Sequence, residues 1–183
     1  MIVSPLSLLP SVPRRPTADE ACLEAFQSEL DYIFRTLRRL GTSATEVEDL
    51  AQELFLVLRR LWSDYDPGRP LRPYLFGIAF RIASAHRRKH GREVVFEIVE
   101  VIDPGAGPDE ALQTKQARAL LLAALEQIPL PRRAVLVMHD LDGVPVEDVA
   151  SALGVPKFTV YSRLRKARRE LETAVRRLRK AEI

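Results

Sequence analysis

The hydrophobic pattern of this chain is helical almost throughout. Its clearest stripe spans residues 45–62, where apolar side chains recur every three or four positions and therefore share one face of a helix. Thr45 and Glu48 have the spacing of a capping box at the start of that helix. An earlier helix is predicted over residues 21–40, ended by Gly41.

Proline and glycine interrupt the pattern twice. Residues 63–73 hold three prolines and a glycine, which predicts a loop, and residues 74–89 resume as a helix with a basic end. Trp62 and Phe76 continue the apolar stripes, so we assign both to the core. The second interruption covers residues 91–110, a β-branched, acidic stretch followed by prolines and glycines, which predicts a linker with room for a short extended piece.

Helical periodicity returns after this linker. We predict helices over residues 111–128, from Pro131 to about Leu141, over 146–153, and from Pro156 or Lys157 to about Lys180. The fold class is therefore all-α. Two small helical domains, residues 19–90 and 111–180, are joined by a flexible linker, and the second domain is a helix-turn-helix.

The first 18 residues form a separate, proline-rich segment that we expect to be a disordered lead-in. Arg14 and Arg15 follow its apolar part, the reverse of the order in a secretory signal. No apolar run is long enough to span a membrane. The single cysteine, Cys22, cannot form an internal disulfide, which fits the reducing cytoplasm. The sequence ends just after the last helix, so we expect no C-terminal regulatory extension.

Charge is distributed unevenly, although the net charge is only +3. Residues 19–66 hold eleven acidic and five basic side chains, whereas residues 157–180 hold ten basic and two acidic ones. An acidic front half and a basic tail predict two different partners, one of them nucleic acid. Basic faces can also be merely solvated, so charge alone leaves both interpretations open.

The last third of the chain has the layout of a helix-turn-helix. Ala150 suits a close helix crossing, Gly154 suits a left-handed turn, and Val160 and Leu164 face inward. The outward positions are Lys157, Phe158, Tyr161, Ser162, Arg165, Lys166 and Arg169. Such a helix can place polar, basic and aromatic groups against DNA bases and phosphates. The alternative is an ordinary helical hairpin with a solvated basic face.

Residues suited to catalysis or metal binding are scarce. The three histidines, His86, His90 and His139, and the single cysteine have no zinc-site spacing. His86 and His90 are four residues apart, but the neighbouring positive side chains would repel a cation. Phosphate-binding glycine loops and nucleophile elbows are absent from the sequence. Asp140 and Asp142 precede Gly143, which favours a turn role. We therefore predict no enzymatic activity, no cofactor and no metal.

Several motifs, taken together, resemble the extracytoplasmic-function (ECF) sigma factors, a family of bacterial RNA polymerase subunits. Residues 128–138 (IPLPRRAVLVM), Gly143, 147–156 (EDVASALGVP) and 159–168 (TVYSRLRKAR) resemble sigma region 4. Residues 48–55 (EDLAQELF) resemble region 2.2, and 64–70 (DYDPGRP) with 74–79 (YLFGIA) resemble regions 2.3 and 2.4. The resemblance covers about 160 residues, with both regions in the family order.

The resemblance implies partners and sites. The partners are core polymerase, through its β′ clamp helices and β flap, promoter DNA, and an anti-sigma factor. The implied polymerase-binding residues are Asp49, Gln52 and Glu53. Those implied for melting the −10 element are Tyr65, Arg81, His86, Arg87, Arg88 and Lys89. Those implied for reading the −35 element are Phe158, Tyr161, Ser162, Arg163, Arg165, Lys166 and Arg168, with Arg163 and Arg168 at positions used more for phosphates or packing. The acidic linker resembles the segment that passes through polymerase toward the RNA exit path.

The chain departs from the family pattern at five positions. Tyr74 stands where tryptophan is frequent, Phe80 where arginine is usual, Arg81 where asparagine is frequent, and Ala85 where aspartate is frequent. Pro145 replaces the usual serine cap of the first motif helix, although proline is tolerated in a first helical turn. The resemblance therefore does not define the −10 sequence preference.

Two other functions are compatible with the same residues. A helix-turn-helix regulator acting without polymerase would bind intact duplex tightly by itself. An inactive sigma-like decoy would bind core polymerase and fail to start transcription. Run-off transcription with core polymerase separates a sigma factor from both.

Overall fold

The computed structural model describes residues 17–90 and 108–181, and the fold is built from helices packed in two successive halves. The described residues contain eight α-helices and no strand, which confirms the all-α prediction. The N-terminal half comprises α1 (Ala18–Ser28), α2 (Leu30–Leu40), α3 (Val47–Leu61) and α4 (Leu71–His90). The C-terminal half comprises α5 (Pro108–Glu126), α6 (Leu130–Leu136), α7 (Val146–Leu153) and α8 (Lys157–Ala181). The predicted lead-in, apart from its last two residues, and most of the predicted linker lie outside the described residues.

The core of the N-terminal half is the apolar stripe predicted from the sequence. Leu54 and Leu58 of α3 are fully buried against α2 and α4, and Phe76 of α4 is equally buried, as expected. Trp62 is only half-buried. It begins a short 3₁₀ turn, Trp62–Asp64, and its ring lies 5.2 Å from that of Tyr65. Cys22 of α1 is buried in the same core.

The predicted single helix over residues 21–40 is wrong: two helices occupy this stretch. Their junction is Glu29, whose backbone leaves the helical region. Ser28 Oγ donates to the carbonyl of Ala25, a local bond that competes with helix continuation. The first helix also begins earlier than predicted, because Thr17 and Glu20 form a capping box in which each side chain bonds the other's backbone N–H.

The capping box predicted at Thr45 and Glu48 is also wrong. Helix α3 begins at Val47, and neither side chain caps it. Ser43 Oγ instead accepts from the backbone N–H of Glu46 at 3.3 Å and bonds the Glu46 carboxylate. A serine and a glutamate with the same spacing, two residues earlier, therefore order the loop before α3.

The C-terminal half is built on α8, against which α5, α6 and α7 all pack. After α6 the backbone widens into a π-helical stretch, Val137–Leu141, closed by a hydrogen bond from the Asp142 N–H to the Val137 carbonyl at 3.0 Å. Helix α7 begins after Pro145 without a side-chain cap, as expected, and ends at Gly154 in the left-handed conformation (φ 65°). The helix-turn-helix geometry is thus present.

The two halves pack directly on each other, which the sequence did not predict. Helix α7 lies on α4, and α5 and α6 lie on α2. A single cluster of buried apolar side chains runs from Cys22 in α1 to Ala167 in α8. At the closest approach, a Cβ on Gly77 of α4 would lie 2.7 Å from the carbonyl oxygen of Ala152 in α7. Only a residue without a side chain allows the two backbones to meet here.

Candidate nucleic-acid interface

Helix α8 follows the turn after α7 and exposes one of its faces to solvent. Val160 and Leu164 are buried and anchor this helix, and Ala150 of α7 is buried beside them. All seven positions predicted to face outward are exposed. The predicted inward and outward faces are therefore confirmed.

Two large aromatic residues stand out on the exposed face of α8. Phe158 is 74% exposed and Tyr161 is 59% exposed, and both lie near the start of the helix. Leaving aromatic rings in water is unfavourable for a protein without a partner, so such exposure marks a contact surface. Ser162, Arg165 and Lys166 share the surface. It combines stacking groups, a hydroxyl and cations, which suits base edges and phosphates in a DNA groove.

A groove of about 420 Å³ runs between the start of α6 and this face of α8. Its walls include Pro129 and Pro131 on one side and Phe158, Arg163 and Lys166 on the other. Arg132, also in the groove, is held by Glu170 through contacts of 2.7 and 2.8 Å. A cationic groove beside a recognition helix is suited to a phosphodiester backbone.

Arg168 differs from its neighbours because it is already paired. Its guanidinium donates two hydrogen bonds to Asp140, at 2.7 and 2.8 Å. These bonds hold the pKa of the Asp140 carboxyl below its usual value. Asp142 is likewise paired, with Arg39 at 2.7 Å and with the Tyr32 hydroxyl at 3.2 Å. The predicted turn role for these two aspartates is therefore incomplete, since both make ion pairs distant in sequence.

The basic end of α4 divides into an outer and an inner set. Arg81, Arg88 and Lys89 are exposed. His86 lies inside, with Nε2 3.2 Å from the Glu46 carboxylate. Arg87 points into the contact between the halves, 4.0 Å from the Glu126 carboxylate, and its buried Nε has no hydrogen-bond partner. Three of the five basic side chains predicted to meet the −10 element thus reach solvent in this arrangement.

Tyr65 is the centre of an aromatic row at the loop between α3 and α4. Its ring lies 5.2 Å from Trp62 and 5.1 Å from Tyr74, and its hydroxyl donates to the Arg69 carbonyl at 2.7 Å. The row fixes the half-exposed ring of Tyr65 in one orientation. A fixed aromatic surface beside a loop can form the wall of a base pocket.

Asp49, Gln52 and Glu53, the residues implied for polymerase binding, lie together on the exposed face of α3. The structure adds Leu56, which continues the same face one turn further and is 58% exposed. The sequence prediction omitted Leu56. This apolar residue lies three positions after Glu53 and outside the buried stripe, so the helical spacing could have indicated that it is exposed. The face combines carboxylates with one exposed apolar side chain.

Within the described ranges, no three histidine, cysteine, aspartate or glutamate side chains come together as a metal site. No helix in those ranges is both long and apolar enough to cross a membrane.

Two sigma-factor family models match the chain in the order of the two halves. The model described as Sigma-70 region 2 matches residues 25–93, and that described as Sigma-70, region 4 matches residues 112–171. The chain belongs to the sigma-70 family. Sigma factors are transcription-initiation factors rather than enzymes, and they direct core RNA polymerase to promoters.

The relatives of this sigma factor include an ECF sigma factor. The chain is 30% identical over 165 residues to the ECF RNA polymerase sigma factor SigE of Mycolicibacterium smegmatis, covering 85% of this chain and 63% of SigE. It is 24% identical over 174 residues to the sigma factor NccH of Alcaligenes xylosoxydans xylosoxydans, covering 85% of this chain and 94% of NccH. The chain thus spans slightly less than two thirds of SigE and nearly all of NccH.

Two solved structures share the fold of this sigma factor. The sigma factor RpoE of Bartonella quintana, solved with the anti-sigma factor NepR, superposes with a TM-score of 0.62 at 21% identity. That match covers 84% of this chain and 98% of RpoE. CnrH, solved with the cytosolic domain of CnrY, superposes with a TM-score of 0.58 at 21% identity, covering 86% of this chain and 96% of CnrH.

Proposed function

We propose that this chain is an alternative sigma factor that binds core RNA polymerase through α3, reads a −35 element with α8 and helps open the −10 element with α4. The observation that carries the proposal is the presence of two unlike exposed surfaces in one chain. One, on α3, is acidic with an exposed leucine at its C-terminal end, and the other, on α8, is basic and aromatic. Acting with polymerase, the protein works in the cytoplasm, binds no cofactor and catalyses no reaction of its own.

The α3 face supports a polymerase contact. Asp49, Gln52 and Glu53 are exposed and match the family motif for the β′ clamp helices. Carboxylates raise the rate of encounter with a basic partner, whereas a buried apolar anchor supplies much of the affinity. Leu56, exposed beside them, can be that anchor. The second polymerase contact, with the β flap, is assigned to the C-terminal half from the family alone.

The α8 surface supports −35 recognition. We assign Tyr161, Ser162 and Arg165 to base edges or nearby phosphates because they are exposed on the first turns of the helix. Phe158 and Lys166 border the groove toward α6. Arg163 is half-buried in the same groove, where it meets phosphate more easily than bases. Arg168 contributes less to DNA binding, because its guanidinium is already hydrogen-bonded to the Asp140 carboxylate.

The loop before α4 and the exposed side of α4 support melting of the −10 element. Extruding a base costs a few kcal/mol, and stacking and positive charge offset that cost. Tyr65 offers a fixed ring, and Arg81, Arg88 and Lys89 offer exposed cations along α4. His86 and Arg87 join them only if their present contacts with Glu46 and Glu126 are released.

Run-off transcription tests the whole proposal. The full chain, mixed with core polymerase and fragmented genomic DNA, should produce start sites that core polymerase alone does not. No new start site on any template would refute it.

The regulator alternative is not favoured, because the region 2 half would then have no role. It predicts tight binding of duplex DNA by the chain alone, which a mobility-shift assay without polymerase would reveal.

Charge reversal tests the α3 contact. Asp49→Lys with Glu53→Lys should abolish binding to core polymerase in calorimetry. The matched control is Glu24→Lys with Asp31→Lys, which makes the same charge change at exposed positions of α1 and α2. If both double variants bind alike, the α3 face is not the contact.

Alanine substitution tests the α8 contact. Tyr161→Ala or Arg165→Ala should reduce −35-dependent run-off while leaving binding to core polymerase unchanged. Arg177→Ala, an exposed change near the far end of the same helix, is the control. Equal losses in core binding and promoter use would refute the assignment.

We also propose that an anti-sigma factor binds this chain. The support is the fold that it shares with RpoE, solved with the anti-sigma factor NepR, and with CnrH, solved with the cytosolic domain of CnrY. Addition of the cognate anti-sigma factor to the run-off reaction should suppress the new start sites, and the two proteins should co-elute. A candidate that co-elutes without suppressing transcription is not an anti-sigma factor.

A further inference from the structure

Among the residues that the structure describes, Phe158 is the large apolar side chain most exposed to solvent, at 74%. It is the second residue of α8, just after the turn of the helix-turn-helix. Tyr161, one turn further on the same face, is 59% exposed. Val160 and Leu164 are buried and anchor the helix, so packing requires neither of these rings. The position of Phe158 therefore indicates a role at the surface.

The cation next to Phe158 is engaged within the protein. Nζ of Lys157, the first residue of α8, donates to the Glu147 carboxylate of α7 at 2.7 Å. This hydrogen bond raises the pKa of the Lys157 ammonium group and lowers the pKa of the Glu147 carboxyl, so both groups are charged at neutral pH. Because the two charges cancel, the distinguishing group at the start of α8 is the Phe158 ring.

Phe158 also borders the groove between α6 and α8. Pro129 and Pro131, at the start of α6, form the other wall, so the groove is apolar where it reaches Phe158. The cations of the same groove, Arg163 and Lys166, lie about 7 and 12 Å further along the axis of α8. A DNA strand whose phosphates meet these two cations would bring a base edge next to Phe158.

A phenylalanine can recognise only one of the groups on a base-pair edge. In the major groove the base pairs present hydrogen-bond donors and acceptors, together with one apolar group, the C5-methyl of thymine. A phenyl ring has no donor or acceptor of the conventional kind, so it distinguishes base pairs by apolar contact with that methyl group. Stacking on the face of a base requires an unpaired base, whereas a recognition helix reads intact duplex.

The C5-methyl group has two sources in DNA. Thymine carries it in every sequence, and methylation of cytosine at C5 puts the same group at the same place in the major groove. Uracil and unmodified cytosine lack it. A surface that reads this group therefore favours thymine over uracil and 5-methylcytosine over cytosine, although the hydrogen-bonding groups within each pair of bases are identical.

We propose that Phe158 is a specificity-determining residue that reads the C5-methyl group of one pyrimidine, thymine or 5-methylcytosine, in the −35 element. The proposal rests on the sigma-factor function above and names the chemical group that α8 selects. Burial of one methyl group against the ring raises affinity about fourfold. Methylation of a cytosine at this position would therefore strengthen a promoter, and loss of the methyl group from a thymine would weaken it.

Replacement of thymine by deoxyuridine tests the proposal, because it removes the methyl group and keeps every hydrogen-bonding group of the base pair. The promoter fragment identified by run-off is prepared as a series of duplexes, each with deoxyuridine at one thymine of the −35 element on either strand. Holoenzyme with the wild-type chain should bind one of these duplexes about fourfold more weakly than the unmodified fragment. Deoxyuridine at thymines between the two promoter elements is the matched control and should leave affinity unchanged.

Variants of the chain assign the preference to one side chain. Holoenzyme with Phe158→Ala should bind the sensitive deoxyuridine duplex and the unmodified fragment equally, whereas Phe158→Leu, which keeps an apolar side chain, should retain most of the preference. Tyr161→Ala, at the neighbouring exposed position, should weaken binding to both duplexes and keep their ratio. Binding to core polymerase and the circular dichroism spectrum should stay unchanged in all three, because these side chains are exposed.

The second source of the methyl group is tested at the same position. With the sensitive thymine replaced, 5-methylcytosine should bind about fourfold more tightly than cytosine. Equal binding of these two bases would overturn the proposal, as would deoxyuridine without effect throughout the −35 element or a preference that survives Phe158→Ala. Run-off from the unmodified fragment reports sigma activity independently, so failure of methyl recognition and failure of the proposed function give different results.

Discussion

The pairing of Arg168 with Asp140 gives a quantitative prediction about DNA binding. By sequence, Arg168 is one of several cations near the recognition surface, at a position that the family uses more for phosphates or packing. In the structure its guanidinium donates two hydrogen bonds to Asp140, at 2.7 and 2.8 Å. We expect Arg168→Ala to leave DNA affinity nearly unchanged, because this cation is already neutralised by its own half.

The converse substitution frees the cation. Asp140→Asn should let Arg168 reach a phosphate, and each new phosphate contact steepens the plot of log affinity against log salt by about 0.9. Over a fourfold change in salt concentration, one contact corresponds to about a 3.5-fold change in affinity. The stability cost should stay below about 1 kcal/mol, because the Arg168 side chain is 56% exposed and water screens the pair.

The assay is binding of the polymerase holoenzyme to a promoter fragment identified by run-off, from about 50 to 200 mM salt. The wild type is compared with Arg168→Ala, Asp140→Asn and the double variant. The double variant should return to the wild-type slope, because the neutral amide at position 140 then has no cation to release. If Arg168→Ala alone lowers the slope by about 0.9, Arg168 leaves Asp140 to bind DNA, and the reasoning from the ion pair is refuted.

Three further predictions concern polymerase binding, stability and pH. Leu56→Ala should weaken binding to core polymerase about fivefold by calorimetry, as expected for an anchor residue worth about 1 kcal/mol. Leu23→Ala, an exposed leucine on α1, should not change it, and equal effects would exclude an anchor role. Arg133→Met should lower the free energy of unfolding in urea by about 3 kcal/mol or more, because the carbonyls of Leu40, Glu126 and Ile128 lose their donor. Arg132→Met, a half-exposed change next to it, should cost no more than about 1 kcal/mol, and similar losses would contradict the role given to Arg133. Arg168 lowers the pKa of the Asp140 carboxyl in the folded state below 3.8. The Asp140 carboxylate therefore stabilises the fold above about pH 4, and this stabilisation is lost as the pH falls through the folded-state pKa. The difference in the free energy of unfolding between the wild type and Asp140→Asn should therefore shrink below about pH 4. A difference that grows below that pH would contradict a lowered pKa for Asp140.

Some of the site could be read from the sequence because it depends on local geometry. Residues three and four apart share a helix face, so the burial of Val160 and Leu164 required Tyr161 and Arg165 to face outward, and both do. The same periodicity located Asp49, Gln52 and Glu53 on the exposed face of α3. Left-handed turns at Gly41 and Gly154 followed from the one residue that adopts them without strain.

Local signals failed where two close alternatives competed. Ser43 with Glu46 and Thr45 with Glu48 have identical spacing, and the structure uses the first pair before α3. The break at Glu29 was missed because the apolar periodicity continues through it, while Ser28 bonds back to Ala25. Periodicity reports which face is apolar and carries little information on where one helix stops and the next begins.

What only the tertiary structure decided is which charged groups are free and how the halves meet. Asp140 and Arg168 are 28 residues apart, Tyr32 and Asp142 are 110 apart, and Arg133 reaches a carbonyl 93 residues away. Such partners depend on how helices pack, and no short-range pattern encodes them. The sequence by itself determined the all-α fold class, the buried and exposed faces of the helices and the chemistry displayed on them. Packing determined that Arg168 and Arg87 are engaged within the protein, and that a glycine inside α4 is required by a neighbouring helix.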